Sequence, residues 1–588
     1  MPYYDFQSYL HALESAGELH RTQIEIDPHL ELTEIAKRAI KEGKPALLVE
    51  HPKGSNYPLV INHYASAKRI ELALGKHPDQ IGKELIHFLE QMSPPTFQSL
   101  LDNKKMIGQF FKARPKRTGS GISQELVEQP NFDALPIQVC WQGDGGRFIT
   151  YGQVITYHPS TGKRNIGIYR MHVFDKQTTG MHWQIQKGGG FHYYYAEKMG
   201  KEFELAVALG TSPALTFATI AALPEGIDEA MFAGFLQNKR IEFTRGKQIS
   251  IDVPANAEFI LEGIVPAKER RMEGPFGDHF GHYSAASEFP VFHLKAITHR
   301  RNPIYPATVV GKPPMEDKFL GDATQQMLGP LIKLIHKEVS DLWAYYEAGF
   351  HNLLVAGIEQ RYQKEAIKAA LGMMGTDQLS LTKCMILVSA GVDVRDWHAV
   401  LREVSENFDP HFDFIMIPKV PLDTLDFTSY KMNLGSKMII DATRKTDRHI
   451  ESRWKRENMT ANVKSFDNRI LDFNLVDNTF LLVKVSSGGR EIIEKLVRNP
   501  QLVGASIIAA VSEDVDIHDK ENYIWGVFTR FDCERDVVFT KQTLAGISPI
   551  YRGVMGIDAT WKPGYPEPLL MKEEIVKQAD EKWEKIWK

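Results

Sequence analysis

LLVAGIEQRYQKEAIKAAL, residues 353–371, is an apolar run of strand length followed directly by a helical period. The same design returns in LLVKVSSGGREIIEKLV, residues 481–497. Each segment is followed by an apolar strand that ends in an acidic loop, MILVSAGVDVRD from residue 385 and IIAAVSEDVDIHD from residue 507. The chain therefore contains one strand-helix module twice.

Five residues of the first copy match five of the second at one offset of 123 positions. They are Asp393, Asp396, Phe408, Asp409 and Asp413 in the first copy, and Asp516, Asp519, Phe531, Asp532 and Asp536 in the second. MIIDAT at residue 438 and MGIDAT at residue 555 end the matched part. Because strands and helices alternate, each copy is expected to be an α/β unit with parallel strand pairing.

The region before the first copy shows two different patterns. Residues 1–115 mix helical patterns with short apolar strands and end in a basic run punctuated by Gly and Pro. Residues 116–325 carry short strands separated by turn residues, which predicts an antiparallel sheet or barrel. The predicted class is multidomain α/β (α+β). Its domains are expected at residues 1–115, 116–325, 326–446 and 447–570 (the two copies), and 571–588 (a helix).

Both ends of the sequence are predicted to form amphipathic helices. The inward residues of the first helix are Phe6, Tyr9, Leu10 and Leu13, with Gly17 near its end. The last helix places Ile575, Trp583, Ile586 and Trp587 along one stripe. Because exposed tryptophans are costly unless covered, this stripe either packs on its own domain or forms a contact in an oligomer.

Composition and charge exclude several classes of protein. Hydrophobic residues make up 43% and charged residues 24%, which is typical of soluble proteins, and a net charge of −4 gives no general attraction to nucleic acid. The cysteines Cys140, Cys384 and Cys533 have no CxxC spacing, so neither a disulfide framework nor a zinc-thiolate site is expected. We expect a cytoplasmic protein without a targeting segment or a transmembrane helix. This expectation does not exclude a hydrophobic substrate.

RRMEGPFGDHFGHYS, residues 270–284, places two acids in a loop that glycine and proline keep from being helical. Glu273 and Asp278 can reach one pocket from such a loop. Two close carboxylates in a partly apolar site cannot both ionise easily, so we expect one pKa to be raised and that group to donate a proton. A solvated turn is the other interpretation of this acid pair.

Further polar residues lie on predicted strands. NIGIYR supplies Asn165 and Arg170, and a later strand supplies Glu242. Asn and Glu oxygens suit Mn²⁺ or Mg²⁺, and Arg can bind a carboxylate or phosphate through two parallel hydrogen bonds. On its own, Arg170 also fits a surface partner, and Glu242, flanked by Arg240 and Arg245, fits an exposed ion pair. KGGG at residues 187–190 can approach a phosphate or form a hairpin turn.

In this order the motifs resemble the UbiD family of decarboxylases. The most specific stretch is MEGPFGDHFGHYS, preceded by VPANAEFILEG and followed by FPVF. NIGIYR is similar to the family's Asn-x-x-x-x-Arg element, and GKPP at residue 311 and PLDTLDF through LGSKMIIDAT at residues 421–443 have family counterparts. The resemblance implies an N-terminal α/β region, a split β-barrel that holds a flavin, and a C-terminal α/β domain.

The resemblance also implies roles for individual residues. Arg170, Glu273 and Asp278 form the acid-base centre, with Asp278 as proton donor. Asn165 is implied to reach the flavin phosphate through the bound metal, and Lys437 is a further candidate for a flavin contact. The positions implied to contact the flavin directly are Ile168, Tyr169, Arg170, His182, Trp183, Gln184, Lys187 and Gly188.

The metal site departs from the family pattern. Asn165 and Glu242 fall on positions for Mn²⁺, but Gln186 stands where the family usually has a histidine. An amide oxygen can still bind a hard ion, so the third ligand stays open between Gln186, His182 and His192.

The implied activity is a reversible, non-oxidative decarboxylation with prenylated FMN, Mn²⁺ and, as an additional candidate, K⁺. Arg170 is expected to orient the substrate carboxylate, the flavin to accept the electrons, and the pair Asp278 and Glu273 to supply the proton. The expected substrate is an aromatic or α,β-unsaturated acid, with a menaquinone-pathway naphthoate first and a smaller phenolic, cinnamic or heteroaromatic acid as its rival. A non-catalytic flavin-binding or assembly protein is the alternative from another class.

The resemblance also implies partners. A separate flavin prenyltransferase is expected to supply the cofactor, and the chain is expected to form a homo-oligomer of two or more copies. The duplicated module departs from shorter family members, and its second copy has Val554 where the first has Lys437. We expect the first copy to close over the active site and the second to support assembly.

Overall fold

A computed structural model describes the chain except residues 1–2, 93–97, 99–101, 184–187, 222, 224–226, 430, 432–433, 446–461 and 503. The chain folds into two compact units, residues 1–328 with residues 567–588, and residues 329–566. In the described part of the chain, no helix is both long and apolar enough to cross a membrane. The domain boundaries predicted from the sequence stay predictions.

The described residues form fifteen α-helices. In the first unit they are α1 Phe6–Ser15, α2 Glu31–Lys41, α3 Ala67–Leu74, α4 Pro78–Gln91, α5 Lys104–Lys112, α6 Gly188–Lys198, α7 Pro213–Ile220, α8 Glu229–Leu236 and α9 Glu316–Leu328. In the second unit they are α10 Glu365–Met373, α11 Trp397–Asn407, α12 Pro410–Asp413, α13 Gly489–Leu496 and α14 Lys520–Phe528. The last helix, α15 Glu573–Ile586, belongs to the first unit again.

The N-terminal part of the first unit is an α/β layer. Its sheet has the order β1 Leu19–Thr22, β2 Ala46–Val49, β3 Leu59–Ile61 and β19 Tyr305–Pro306. The carboxylate of Asp5 caps α1 by accepting the N–H of Ser8 at 2.8 Å. The four inward residues predicted for this helix are all buried, which confirms the predicted amphipathic helix.

A curled ten-stranded sheet forms the centre of the first unit, where the sequence predicts a split β-barrel. Its strands are β5 Leu126–Glu128, β6 Arg147–Ile149, β7 Gln153–Tyr157, β8 Arg164–Ile168, β9 Met171–Val173, β10 Thr178–Gly180, β11 Phe203–Leu209, β14 Phe259–Val265, β15 Arg270–Glu273 and β18 Ser287–His299. The long strand β18 pairs antiparallel with β5, β10, β14 and β15, so one strand ties the sheet together. The class predicted from the sequence is confirmed.

Two small sheets complete the first unit. One has the order β13 Asp252–Pro254, β12 Glu242–Arg245 and β4 Lys116–Arg117. The other is the hairpin of β16 Phe276–Gly277 and β17 Tyr283–Ser284.

The chain returns to the first unit through residues 567–588. Ile575, Ala579 and Ile586 are buried there, and α15 packs along α2. Before the helix, Pro568 forms a β-bridge with His282, and the N–H of Leu569 donates to the carbonyl of Gly281 at 2.9 Å. Packing on its own domain is therefore the interpretation of the terminal stripe that the structure supports.

The second unit contains two five-stranded sheets of the same design. The first has the order β20 Val339–Ala344, β21 Leu353–Ile358, β22 Cys384–Ser389, β24 Gly435–Asp441 and β23 Phe414–Val420. The second has the order β25 Ile470–Val476, β26 Phe480–Val485, β27 Ile507–Val511, β29 Ser548–Ala559 and β28 Val537–Ala545. The three central strands of each sheet are parallel, as the alternation of strands and helices predicts.

The sheet registers correct one detail of the repeat. Leu353 lies opposite Cys384, and Phe480 lies opposite Ile507. Since Cys384 and Ile507 keep the offset of 123, Leu353 corresponds to Phe480 and not to Leu481. The match of LLV at residue 353 with LLV at residue 481 is therefore wrong by one residue.

The two modules share one hydrophobic core. The ring of Trp397 in the first module lies 6.4 Å from that of Phe480 and 6.1 Å from that of Phe528 in the second, measured between centroids. Phe414 and Phe539 meet in the same way at 4.9 Å. Because these rings are buried against each other, neither module completes its core alone.

Candidate active site

The acid loop, residues 273–282, is anchored in the sheets at both ends. Glu273 ends β15 opposite Ser287 of β18, and Gly274 follows with a φ of +91°, a conformation that favours glycine. The N–H of Asp278 then donates to the carbonyl of His282 at 3.1 Å, which closes a tight turn. As a result the side chains of Glu273 and Asp278 are both buried.

Arg170 lies between these two carboxylates. Its Nε donates to Oε1 of Glu273 at 2.9 Å, and its Nη1 donates to Oδ2 of Asp278 at 2.5 Å. The guanidinium carbon lies 4.6 Å from the ring centroid of Phe276. The structure therefore brings together the three residues predicted as the acid-base centre, although their catalytic roles stay predictions.

Hydrogen bonds with two histidines and the charge of Arg170 together decide the ionisation of both acids. Burial by itself would raise the pKa of Glu273, but a hydrogen bond with His182 and the charge of Arg170 outweigh it and lower that pKa. Burial of Asp278 is likewise outweighed, by a hydrogen bond with His279 and by Arg170, so its pKa lies well below the ordinary value. The expectation of one raised pKa is therefore wrong for this arrangement, because a histidine hydrogen bond and the charge of Arg170 favour the ionised form of each acid.

Two histidines flank the acid pair. Nδ1 of His182 lies 3.0 Å from Oε2 of Glu273, and Nδ1 of His279 lies 2.9 Å from Oδ1 of Asp278. The ring of His182 also lies 4.2 Å from that of Phe289, between centroids. His182, predicted to contact a flavin, is thus a direct neighbour of the acid-base centre.

A second group of predicted residues meets at the N-terminus of α6. A Cβ on Gly188 would lie 2.1 Å from Oδ1 of Asn165, so a larger residue there would have to displace the Asn165 side chain. The next residue, Gly189, donates its N–H to the hydroxyl of Tyr169 at 3.2 Å. Trp183 is buried beside it. Because the first N–H groups of a helix lack partners within it, this glycine-lined cradle suits a phosphate.

Two buried nitrogens in the cradle lack a hydrogen-bond partner among the described residues. They are Nδ2 of Asn165 and Nε1 of Trp183. Buried polar groups are normally paired, so these two donors are candidates to bind a polar ligand. Ile168 ends β8 beside the cradle and is half-buried.

A partly buried acid that the sequence analysis missed contacts the residue after Asn165. Oε2 of Glu229, the first residue of α8, accepts the N–H of Ile166 at 3.1 Å. Burial raises the pKa of Glu229 to about 7, against the opposing effect of backbone hydrogen bonds. Glu242, predicted as a metal ligand, instead pairs with Lys116 at 2.8 Å and is partly exposed. The only hint of Glu229 in the sequence is an acidic pair opening a helix, IDEAMF.

The remaining predicted positions are distributed as follows. Gln184, Gln186 and Lys187 lie outside the described residues. His192 is buried in α6, with Nδ1 2.9 Å from Oγ1 of Thr156. Over the described part of the chain, no three His, Cys, Asp or Glu side chains cluster as a metal site.

Lys437 belongs to β24 in the second unit. It is buried, and its Nζ donates to the carbonyls of Ser380 at 2.6 Å and Thr382 at 2.7 Å. Burial lowers its pKa to about 8. Its contact with a cofactor stays a prediction.

Family models place this site in a known context. The model described as the 3-octaprenyl-4-hydroxybenzoate carboxy-lyase Rift-related domain matches residues 115–313. Models for the N-terminal and C-terminal domains of the same enzyme match residues 10–89, and residues 318–442 with 480–559. The chain belongs to the UbiD family. The predicted family and the predicted class of enzyme, a carboxy-lyase, are thereby confirmed.

Relatives of this UbiD protein cover most of the chain. An uncharacterised protein of Archaeoglobus fulgidus is 45% identical over 457 residues, which is 77% of this chain and 95% of the relative. A protein of Chlamydia pneumoniae that is named as one component of a 4-hydroxybenzoate decarboxylase is 34% identical over 564 residues, 95% of this chain and 94% of that one.

Solved structures agree with the family assignment. Vanillic acid decarboxylase of Sedimentibacter hydroxybenzoicus in its closed form superposes with a TM-score of 0.68 at 25% identity, over 78% of this chain and 96% of that chain. The UbiD-class enzyme HmfF of Pelotomaculum thermopropionicum, in complex with FMN, gives a TM-score of 0.65 at 25% identity, over 77% and 97%.

Proposed function

We propose that this UbiD protein removes carbon dioxide from an aromatic acid with prenylated FMN as its cofactor. One observation carries the proposal. Tyr169 belongs to the glycine-lined cradle, and the next residue, Arg170, is held between Glu273 and Asp278. A phosphate-binding site and an acid-base centre are thus joined by one peptide bond.

The cradle fits a flavin phosphate. The side-chain nitrogens of Asn165 and Trp183, which have no hydrogen-bond partner among the described residues, offer two donors there. The FMN complex of the Pelotomaculum relative supports this assignment. When bound, prenylated FMN supplies the electron acceptor that decarboxylation needs and that amino-acid side chains do not provide.

For the metal we propose Asn165 and Glu229 as ligands of Mn²⁺. Glu229 replaces Glu242, the ligand expected from the family resemblance. K⁺ is a further candidate ion. Burial raises the pKa of Glu229 more than the charge of Arg164 lowers it, and a bound cation would favour the ionised form of this carboxylate. Hard oxygen ligands of this kind suit both ions.

A pair of matched variants tests the metal assignment. Glu229→Gln should lose bound manganese, because the amide carries no charge to hold it, whereas Glu242→Gln should retain it. Elemental analysis of both purified proteins, prepared with Mn²⁺ in the medium, measures this. Retention in Glu229→Gln together with loss in Glu242→Gln would return the assignment to Glu242.

The side chains of the acid-base centre would act in sequence. Arg170 directs a terminal nitrogen of its guanidinium to the substrate carboxylate. Glu273 accepts a hydrogen bond from Nε of Arg170 and so keeps the guanidinium oriented. The substrate would share the charge of Arg170, which weakens one of the effects that lower the pKa of Asp278, so that Asp278 could take up a proton. Asp278 delivers this proton to the carbon that carbon dioxide has left.

Two kinds of aromatic acid are candidates. The first is the quinone-pathway acid of naphthoate type that the family resemblance implies. The second is a smaller phenolic acid, which the names of the Chlamydia pneumoniae and Sedimentibacter relatives support. A non-catalytic role is disfavoured because Arg170, Glu273 and Asp278 are all present and in contact.

The decisive experiment is turnover of a panel of both kinds of acid. The chain is expressed with a flavin prenyltransferase and Mn²⁺, and loss of carbon dioxide is followed by chromatography of the product. Asp278→Asn should reduce turnover at least about 10²-fold, as expected for loss of a general acid. Flavin content and melting temperature should stay unchanged. Asp133→Asn, which removes an exposed acid paired with Arg147, is the control.

Two results would count against the proposal. Protein that is folded and loaded with prenylated flavin yet inactive on the whole panel would point to the non-catalytic alternative. Normal turnover by Asp278→Asn would remove Asp278 as the proton donor.

A further inference from the structure

A second loop, residues 141–146, lies against the acid loop. One carboxylate joins the two. Oδ1 of Asp144 accepts the N–H of Gly277 at 2.8 Å, and Gly277 immediately precedes Asp278. Oδ2 of Asp144 accepts the N–H groups of Trp141 at 2.8 Å and Cys140 at 3.1 Å. Oδ1 of Asp144 thus holds the acid loop, and Oδ2 stabilises the loop that contains Asp144 itself.

Further contacts make this junction rigid. The N–H of Gly145 donates to the carbonyl of Pro275 at 2.8 Å. On the other side, the N–H of Gly274 donates to Nδ1 of His172 at 3.2 Å. A Cβ on Gly277 would lie 2.3 Å from the indole ring of Trp141, so the two loops approach more closely than any other residue would permit. The segment between Glu273 and Asp278 is therefore fixed by its backbone.

The environment of Asp144 fits a shared anchor. Burial raises its pKa to about 6, while the three N–H groups and the charge of Arg170 act in the opposite direction. The carboxylate is thus ionised near neutral pH and accepts all three hydrogen bonds, and charge-assisted bonds of this kind are stronger than neutral ones.

We propose that Asp144 is a positioning residue that sets the place of Asp278 for proton transfer. Its link is to the backbone of Gly277, so it acts on Asp278 through one peptide unit. A displacement of the reacting group by about 1 Å can cost about 10²-fold in rate. This inference rests on the proposed function.

The test compares Asp144→Ala with Asp144→Asn in flavin-loaded protein. Alanine removes every acceptor, so kcat should fall about 10²-fold while KM changes less than about threefold, because Arg170 still binds the substrate. Asparagine retains one acceptor oxygen and should recover part of kcat. Flavin content and melting temperature are measured on each variant, with Asp133→Asn as the control.

Each outcome has one meaning. A loss confined to kcat, with partial recovery in Asp144→Asn, supports positioning. Unchanged kcat in Asp144→Ala, or a loss carried mainly by KM, overturns it. If Asp144→Ala does not fold, Asp144→Asn decides alone, and wild-type kcat in that variant overturns the inference. Inactivity of the wild type on every acid would instead count against the proposed function.

Discussion

The two modules of the second unit have the same topology, but they differ in the connection between their last two strands. In the first module this connection, residues 421–434, includes the buried residues Leu422, Asp426 and Thr428. In the second, β28 and β29 form a hairpin whose tip exposes 71% of Leu544 and 97% of Ile547. The described part of the connection that carries family motifs includes several buried side chains, whereas its counterpart is an exposed hairpin.

Other features are the same in both modules. The N–H of Asp409 donates to Asp413 at 3.1 Å, and the N–H of Asp532 donates to Asp536 at 2.8 Å. Asp441 and Asp558 each accept the N–H and hydroxyl of the threonine two residues later. Features present in both copies serve the fold they share. A difference in function can arise from features present in only one copy, such as Lys437, which has Val554 at the equivalent position of the second copy.

The largest expected effect comes from removing one module. Excision of residues 447–566, with residues 567–588 rejoined by a Gly-Ser linker, would expose the core shared by Trp397 and Phe414. The lost packing exceeds the roughly 5–15 kcal/mol that stabilises a typical domain, so the protein should be insoluble or unfolded. Soluble yield and thermal melting measure this.

A matched control shortens only the exposed hairpin at residues 541–549. It should stay soluble and melt close to the wild type, because Leu544 and Ile547 contribute little burial. An excised protein that melts like the full chain would show that the modules are independent, and the second would then be free for assembly alone.

A smaller effect distinguishes two equivalent acids. Oδ1 of Asp532 accepts the N–H groups of Glu534 and Arg535, and Oδ2 accepts the hydroxyl of Ser436 in the other module at 3.0 Å. Asp409 accepts the N–H of His411 at the start of α12. Asp532→Ala should therefore cost about 2–3 kcal/mol of unfolding free energy and Asp409→Ala about 1 kcal/mol.

Chemical denaturation measures both variants, and a double-mutant cycle with Ser436→Ala isolates the link between the modules. Equal losses in the two aspartate variants, with no coupling to Ser436, would contradict the asymmetry.

The sequence predicted the architecture well where its signal was periodic or repeated. The offset of 123 places Cys384 and Ile507 on equivalent strands. The alignment of the first strands of the two copies was wrong by one residue, because Leu353 corresponds to Phe480. The reason is that β21 and most of β26 are buried on both faces. A strand buried on both faces shows no alternation, and alternation is what fixes a register in a sequence.

The candidate site could be predicted only in part. The motif around Glu273 and Asp278 identified both acids, but their charge state depends on Arg170, more than 100 residues away in the sequence. Glu229 and Asp144 have no motif of their own. Each depends on a contact between distant segments, with Ile166 and with Gly277, which spacing along the chain does not encode.

The return of the chain to its first unit affects how the enzyme is made. A ribosome synthesises residues 567–586 after both modules, yet these residues cover the core along α2 and bond to the acid loop at Gly281 and His282. The nascent first unit therefore lacks its last segment while more than 200 further residues are synthesised. The acid loop receives its last backbone partners only at the end of this interval, so a chain stalled within either module lacks a completed catalytic centre.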